Sequence, residues 1–227
     1  MTEVESHEQY NKSDSFGINK VEPRKLFRPY TILKVFVFWE ENMNIFIGCG
    51  SEIVEDKFYK NSLSLITKIA SLDNVSLVFG AYHHGLMGSC YDIFKNHGKK
   101  ITGITLECYR KQLEDLELDE EVVVETSMDR MREIYQKSDI MVFTPGGLGT
   151  YAEILSSIEE LRTKEEEKLI ILYNDDFFYT PLIKEMYWLY ENKFNSKNIS
   201  EYCRIESKEE EIVRLIEKEK EQLSSGG

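Results

Sequence analysis

The sequence predicts an α/β fold: a Rossmann-like, doubly wound parallel sheet with helices on both faces. Three observations predict it. Apolar, β-branched runs recur at 44–50, 76–80, 100–105, 121–125, 140–144 and 168–173. Patterns of helical period fill most of the gaps between them. Glycine-rich turns follow three of the runs. Continuous apolar strands between amphipathic helices imply a parallel sheet covered on both sides. In such a sheet the ligand crevice lies at the carboxyl ends of the strands.

Taken in order, residues 1–28 are polar and aperiodic, and a poorly ordered tail is expected there. Residues 31–39, TILKVFVFW, read as a strand or a short buried element. Met43 reads as a fresh start, because residues 39–42, WEEN, can be encoded by a purine-rich run of the kind that precedes a bacterial start codon. The expected organisation is an N-terminal extension over 1–42, partly disordered, and a single domain over 43–227. Leu63, Leu65, Ile66 and Ile69 give one helix its apolar face, and Ile154, Leu155, Ile158 and Leu161 give another theirs. Ser207 and Glu210 have capping-box spacing at the head of a charged C-terminal helix. Ile212, Val213, Leu215 and Ile216 supply its partial apolar face, and the final SSGG reads as a frayed end.

The bulk numbers bound the function. A chain of 227 residues suits one sizeable α/β domain. A formal charge of -13 argues against a nucleic-acid backbone as partner, though a local site for a small phosphorylated ligand can oppose the global sign. The four cysteines form no CxxC pair and no histidine cluster has zinc-ligand spacing, so buried free thiols and no metal are expected. No apolar stretch approaches the ~20 residues that span a bilayer, and the acidic N-terminus resembles neither a signal nor a transit peptide. A cytoplasmic protein with no membrane partner is expected.

The three glycine-rich turns are Gly48-Cys49-Gly50-Ser51, the segment from Gly80 to Ser89 (GAYHHGLMGS), and residues 144–153, TPGGLGTYAE. In a doubly wound sheet all three emerge on one edge and can converge. The third opens a helix, whose N-terminus presents unpaired N–H groups and a partial positive charge to an anion such as phosphate. Gly146, Gly147 and Gly149 let the backbone approach that anion, and Thr150 adds a hydroxyl. The turn is neither a Walker A loop nor a GxGxxG fingerprint. Two readings of Thr150-x-x-Glu153 stand side by side: a capping box, or a carboxylate placed at the crevice to meet a bound sugar. Arg130 follows the run EVVVE and is expected near the strand ends; it is either a surface arginine or an anion partner, with Arg132 its local competitor.

PGGLGTYAE resembles the PGGxGTxxE motif of the LOG family, long labelled lysine decarboxylase-like. GLMGS at 85–89, CGS at 49–51, ITGIT at 101–105, and YNDDFFYTPLIKEM at 173–186 resemble other segments of that family in the same order. The resemblance covers roughly residues 43–195. It implies hydrolysis of a nucleoside 5′-monophosphate such as AMP to free base and ribose 5-phosphate, without a cofactor. It also implies a homodimer. By the resemblance Arg130, which precedes Glu153 by 23 residues, and Glu153 are the catalytic pair. Gly50, Ser51, Gly85, Met87, Gly88, Gly146, Gly147, Gly149 and Thr150 are the residues expected to hold phosphate and substrate.

Several positions depart from the family pattern. Gly80-Ala81-Tyr82 stands where the family has GGG, Met128 and Met131 where it has the histidine and lysine of MHxRK, and Ala152 where a carboxylate is common. Tyr82 can narrow the pocket or stack on a base. These departures imply an altered substrate range or weaker catalysis, and they keep open a non-catalytic nucleotide-binding or sensor protein on the same fold. The older decarboxylase label calls for an electron sink such as pyridoxal phosphate, for which the sequence shows no lysine context. Tyr187, Trp188 and Tyr190 read equally as core or as aromatic surface at a subunit interface.

Overall fold

A computed structural model of the chain describes residues 42–52, 57–163 and 168–225. The expectations for residues 1–41 lie outside the described residues. Seven strands form one all-parallel sheet: β1 (Met43–Gly48), β2 (Val75–Phe79), β3 (Ile101–Leu106), β4 (Glu120–Val124), β5 (Ile140–Phe143), β6 (Leu169–Tyr173) and β7 (Arg204–Glu206). Their order is β4-β3-β2-β1-β5-β6-β7. The chain runs outward from β1 to β4, then returns to lay β5 against the other side of β1. The strand order reverses between β1 and β5, the place where an open α/β sheet opens its crevice. The predicted architecture is therefore present, with one strand, β7, that the sequence pattern does not reveal.

Six helices cover the sheet: α1 (Lys57–Ala70), α2 (Gly85–Asn96), α3 (Ser127–Lys137), α4 (Leu148–Thr163), α5 (Thr180–Glu191) and α6 (Glu209–Ser225). Alternate residues of each central strand serve opposite layers. Ile45, Ile47, Leu77, Phe79, Val142 and Ile171 join Leu65, Ile66, Ile69, Phe94, Ile212 and Ile216 from α1, α2 and α6. Phe46, Val78, Met141, Phe143, Ile170 and Leu172 join Ile134, Ile154, Ile158 and Met186 from α3, α4 and α5. This is the two-residue period of a pleated strand, apolar on both phases because both faces are buried. Transfer of such side chains from water, at about 1.5–3 kcal/mol each, is the main force holding the layers together.

Some expectations change in detail. Leu155, placed by its period on the buried face of α4, is exposed. The carboxylate of Glu210 does not close a box with Ser207; it accepts from Lys68 of α1 at 2.7 Å, and Glu209 pairs with the same lysine at 2.8 Å. That ties α6 across α1. The helix continues to Ser225, into the segment read as frayed. Tyr187 and Trp188 are exposed, which removes the core reading for them. Cys49, Cys90 and Cys203 are buried as expected, but Cys108 is exposed. Burial pushes the Cys203 thiol up to about 12, and the neighbouring Cys90 together with burial raises that of Cys49, so both stay protonated thiols at neutral pH.

At the sheet edges, β4 is exposed at Glu120 and Glu121 and β7 is only three residues long, exposed at Arg204. At the centre, packing is tight. Gly48 stands beside Phe143 in the β1–β5 register, and a methyl group there would lie 2.4 Å from the Phe143 ring. Phe143 is fully buried and meets Phe46 edge-on at 5.7 Å, so it has no room to retreat. Gly48→Ala is therefore expected to cost about 1–3 kcal/mol by overpacking. Urea denaturation checks this, and an unchanged midpoint would contradict the packing described.

Candidate active site

The three glycine-rich turns meet at the carboxyl edge of the sheet, on the β1–β5 switch point. A methyl group on Gly50 would lie 3.6 Å from the Gly146 Cα, so the first and third turns touch. The second turn is hydrogen-bonded to the first: Met87 N donates to Gly50 O at 3.1 Å, and His84 Nδ1 donates to Ser51 O at 2.7 Å. Gly85 opens α2 with φ +56°, in the left-handed region, and a methyl group there would lie 2.4 Å from Ser51 O. Only glycine meets both demands. Gly50, Ser51, Gly85, Met87 and Gly88 are thus brought into one cluster, Gly88 packing against His83.

The third turn is clamped at its start. Thr144 N donates to Gly48 O at 2.9 Å, and the buried Tyr179 hydroxyl donates to Thr144 O at 2.5 Å. Burial raises the Tyr179 phenol far above its ordinary range, so it remains a donor. Tyr179 is a site residue that the residue-level reading missed; its signal lay in the FFYTPL stretch. Beyond the clamp, Gly147 and Gly149 are exposed. The first α4 bond runs from Tyr151 N to Gly147 O, which leaves the N–H groups of residues 148–150 at an open helix end. Thr150 is buried, with its Oγ1 packed beneath Gly146.

Glu153 resolves differently from the capping-box reading. Helix α4 starts at Leu148, so Thr150 and Glu153 both lie inside it. Glu153 is 5% exposed, and its Oε1 accepts from Arg130 Nη1 at 3.1 Å. Among the described residues none donates to Oε2. Arg130 reaches this position from α3. Its Nε donates to Ile104 O in β3 at 3.1 Å, which fixes the guanidinium plane. Gly80 makes room for it, since a methyl group there would lie 2.5 Å from Arg130 Nη2. Arg132 is exposed and pairs with Asp129 at 3.5 Å, which leaves Arg130 as the inward-facing one of the two. Burial raises the Glu153 carboxyl above its ordinary range, and Arg130 opposes that rise without cancelling it.

Two non-glycine residues near the turns lie in the left-handed region: Ala81, where the family pattern has a glycine, takes φ +56°, and Phe177 takes φ +65°. Phe177 and Met128 are largely exposed. His83 and His84 are exposed as well, His83 pairing with Asp92 at 2.9 Å. Asp175 is buried and takes two bonds from Asn61 Nδ2, at 3.1 and 3.0 Å, so it braces α1 and lies outside the cluster around Glu153. No group of three or more His, Cys, Asp or Glu among the described residues is placed to hold a metal ion. No helix among them is long and apolar enough to cross a membrane.

The raised carboxyl has a consequence for stability. The folded chain holds the Glu153 proton to higher pH than the unfolded chain, whose value is about 4.3. The stability contributed by that proton is fully present below the unfolded value and is lost as pH rises through the folded one. Wild type is therefore expected to lose stability relative to Glu153→Gln between pH 4 and pH 8. Urea unfolding of both proteins across that range checks it, and a difference that stays flat would show that Glu153 is not perturbed.

Comparison with known proteins agrees with this geometry. A family model described as "possible lysine decarboxylase" matches residues 87–216. A probable cytokinin riboside 5′-monophosphate phosphoribohydrolase of Oryza sativa subsp. japonica (LOGL2) is 30% identical over 142 residues, 60% of this chain and 57% of that protein. The chain thus spans little more than half of that relative's length. The cytokinin riboside 5′-monophosphate phosphoribohydrolase LOG4 of Arabidopsis thaliana is 27% identical over 76% of this chain and 81% of its own. Among solved structures, the molybdenum cofactor binding protein of Rippkaea orientalis shares the fold with TM-score 0.57 at 23% identity, over 78% of this chain and 96% of that one. With a matched family model over more than half its length, and the paired Arg130 and Glu153 beneath the glycine turns, the chain belongs to the possible lysine decarboxylase, or LOG, family as a divergent member.

Proposed function

We propose that the protein hydrolyses the N-glycosidic bond of a nucleoside 5′-monophosphate, such as AMP, giving free base and ribose 5-phosphate. The observation that carries this is the pair of the buried Glu153 with the partly buried Arg130, set beside the open N-terminus of α4 where the glycine turns converge. Such a reaction builds positive charge on the ribose as the bond to the base lengthens. The parts fit that demand. Backbone N–H groups of Gly147, Gly149 and Thr150 hold the phosphate at the helix end, with Ser51 facing them across the Gly50–Gly146 contact. Thr150 contributes its N–H, because its hydroxyl is packed under Gly146.

Glu153 Oε2 then accepts from the ribose hydroxyls or the attacking water, and the carboxylate stabilises the oxocarbenium-like centre. Water oxygen bonds to C1′, the C1′–N electron pair leaves with the base, and the water proton passes to the carboxylate or the base. Arg130 holds Glu153 in place and balances charge as the base departs. Burial raises the carboxyl toward the range useful for proton transfer. Phosphate binding positions the reacting bond, so the nucleoside lacking phosphate is a far poorer substrate.

A homodimer accompanies this proposal. Met128, Leu148, Leu155, Tyr187 and Trp188 expose apolar side chains on α3, α4 and α5, surface that a second copy would cover. Light scattering behind gel filtration is expected to give twice the mass of the 227-residue chain; a monomer would remove this part.

Chromatography of a panel of nucleoside 5′-monophosphates is expected to show base release, with AMP turned over at least about 100-fold faster than adenosine. A loss of that size corresponds to roughly 2.7 kcal/mol of transition-state binding. Glu153→Gln keeps an acceptor for Arg130 and is expected to lower kcat by about 10²–10⁴. Arg130→Ala is expected to lose activity too, with some loss of stability, so circular dichroism accompanies both. Nucleotide binding without base release in any member of the panel would instead assign the chain to the non-catalytic sensor class. The exchange of a lysine for Met131 beside Arg130 is the observation that favours that second reading.

A further inference from the structure

The loop from β2 to α2 holds an aromatic pair with no part in the chemistry above. Tyr82 and His84 stack with ring centroids 5.5 Å apart and planes 17° from parallel. The pair is anchored at one end, where His84 Nδ1–H donates to Ser51 O in the first glycine turn. The carbonyl can only accept, so Nδ1 carries the proton and the ring orientation is set. At the loop's other end Gly80 lies against Arg130 Nη2. Between them Ala81 is fully buried with φ +56°, a backbone state that side chains disfavour and that turns the chain sharply ahead of Tyr82. Tyr82 is half-buried and His84 exposed. The loop that carries the stacked rings therefore runs at the carboxyl edge of the sheet, from the Gly80–Arg130 contact to the Ser51 turn.

We propose that Tyr82, backed by His84, is the platform on which the base of the nucleotide stacks, and that it makes the protein selective for purines. The inference rests on the reading that this crevice takes a nucleoside 5′-monophosphate, and it goes on to assign the base-recognising residue. Three features support it. A tyrosine ring offers a large, stiff face at little cost in side-chain freedom. The stack and the His84–Ser51 bond hold that face in place before any ligand arrives, which reduces the ordering needed on binding. Stacking on an aromatic side chain discriminates by ring area rather than by hydrogen-bond pattern, so two-ring bases gain over one-ring bases.

Calorimetric titration of AMP, CMP and ribose 5-phosphate separates this role from the hydrolytic one. It is run in a Glu153→Gln background so that no base is released during the measurement, with Tyr82→Phe, Tyr82→Gly and His84→Ala added in turn. Tyr82 carrying the base predicts AMP binding at least ten-fold tighter than ribose 5-phosphate and several-fold tighter than CMP. Tyr82→Phe keeps both ratios. Tyr82→Gly, which restores the family's residue, brings AMP close to ribose 5-phosphate while ribose 5-phosphate itself is unchanged, and His84→Ala gives a smaller loss in the same direction. An AMP to ribose 5-phosphate ratio that survives Tyr82→Gly in a folded protein overturns the platform. The wild-type base-release assay is read separately. Selective AMP binding through Tyr82 with no release overturns the hydrolase and leaves the platform standing, and absence of binding by all three ligands overturns both.

Discussion

A carboxylate removed from water needs a cation, and the carboxyl edge of this sheet is arranged around that need. Glu153 lies on the inner side of α4, where α4 packs on the sheet. Arg130 must reach it from a different helix, over the end of β3. The bond to Ile104 O sets the guanidinium plane, and the missing side chain at Gly80 gives it a path. Moving either helix by a fraction of an ångström would leave two ionisable groups half-buried and apart, which is far less favourable than either fully solvated or fully paired. The pair therefore joins α3 to α4, besides the chemical role proposed for it. The clamp on Thr144 from Gly48 and Tyr179 serves the same end, since it fixes where α4 begins.

Much of this arrangement was legible in the sequence, and the failures have physical reasons. Both phases of the strand pattern are apolar because both faces are buried, so six strands stood out, while β7 has three residues and lies at an edge, too short to display any period. The glycine turns were readable because positive φ is a local backbone demand, as at Gly85. The Thr150–Glu153 spacing satisfied two rules at once; the start of α4 at Leu148 removes the cap, and the partner Glu153 takes instead, Arg130, comes from 23 residues away, beyond any local rule. Leu155 illustrates the converse. Its period places it among apolar neighbours, but no sequence rule says how far round α4 the neighbouring helices extend. Tyr179 was hidden because its hydroxyl acts on a backbone carbonyl, and such a bond leaves no pairing signal in side-chain types.

Ala81 and Phe177 show two ways in which a side chain is carried at positive φ. In both, the surrounding structure holds the turn against the preference of the side chain. Ala81 is sealed in, with only a methyl group to accommodate, whereas the Phe177 ring projects into solvent. Positive φ is thus carried where the side chain is either minimal or free to leave.

The sheet margins have a consequence for how the molecule can associate. A parallel sheet ends in unpaired backbone groups on each outer strand, which invite another chain to add on. Here one margin carries the carboxylates of Glu120 and Glu121, and the other stops after three residues with Arg204 outward. Lys137 neutralises Glu120, pinning that side chain across the margin at 2.7 Å. Among the described residues, both margins discourage lateral addition of a strand, by charge on one side and by brevity on the other. The homodimer proposed above would then form through helical faces, where a contact related by a two-fold axis closes on itself and stops.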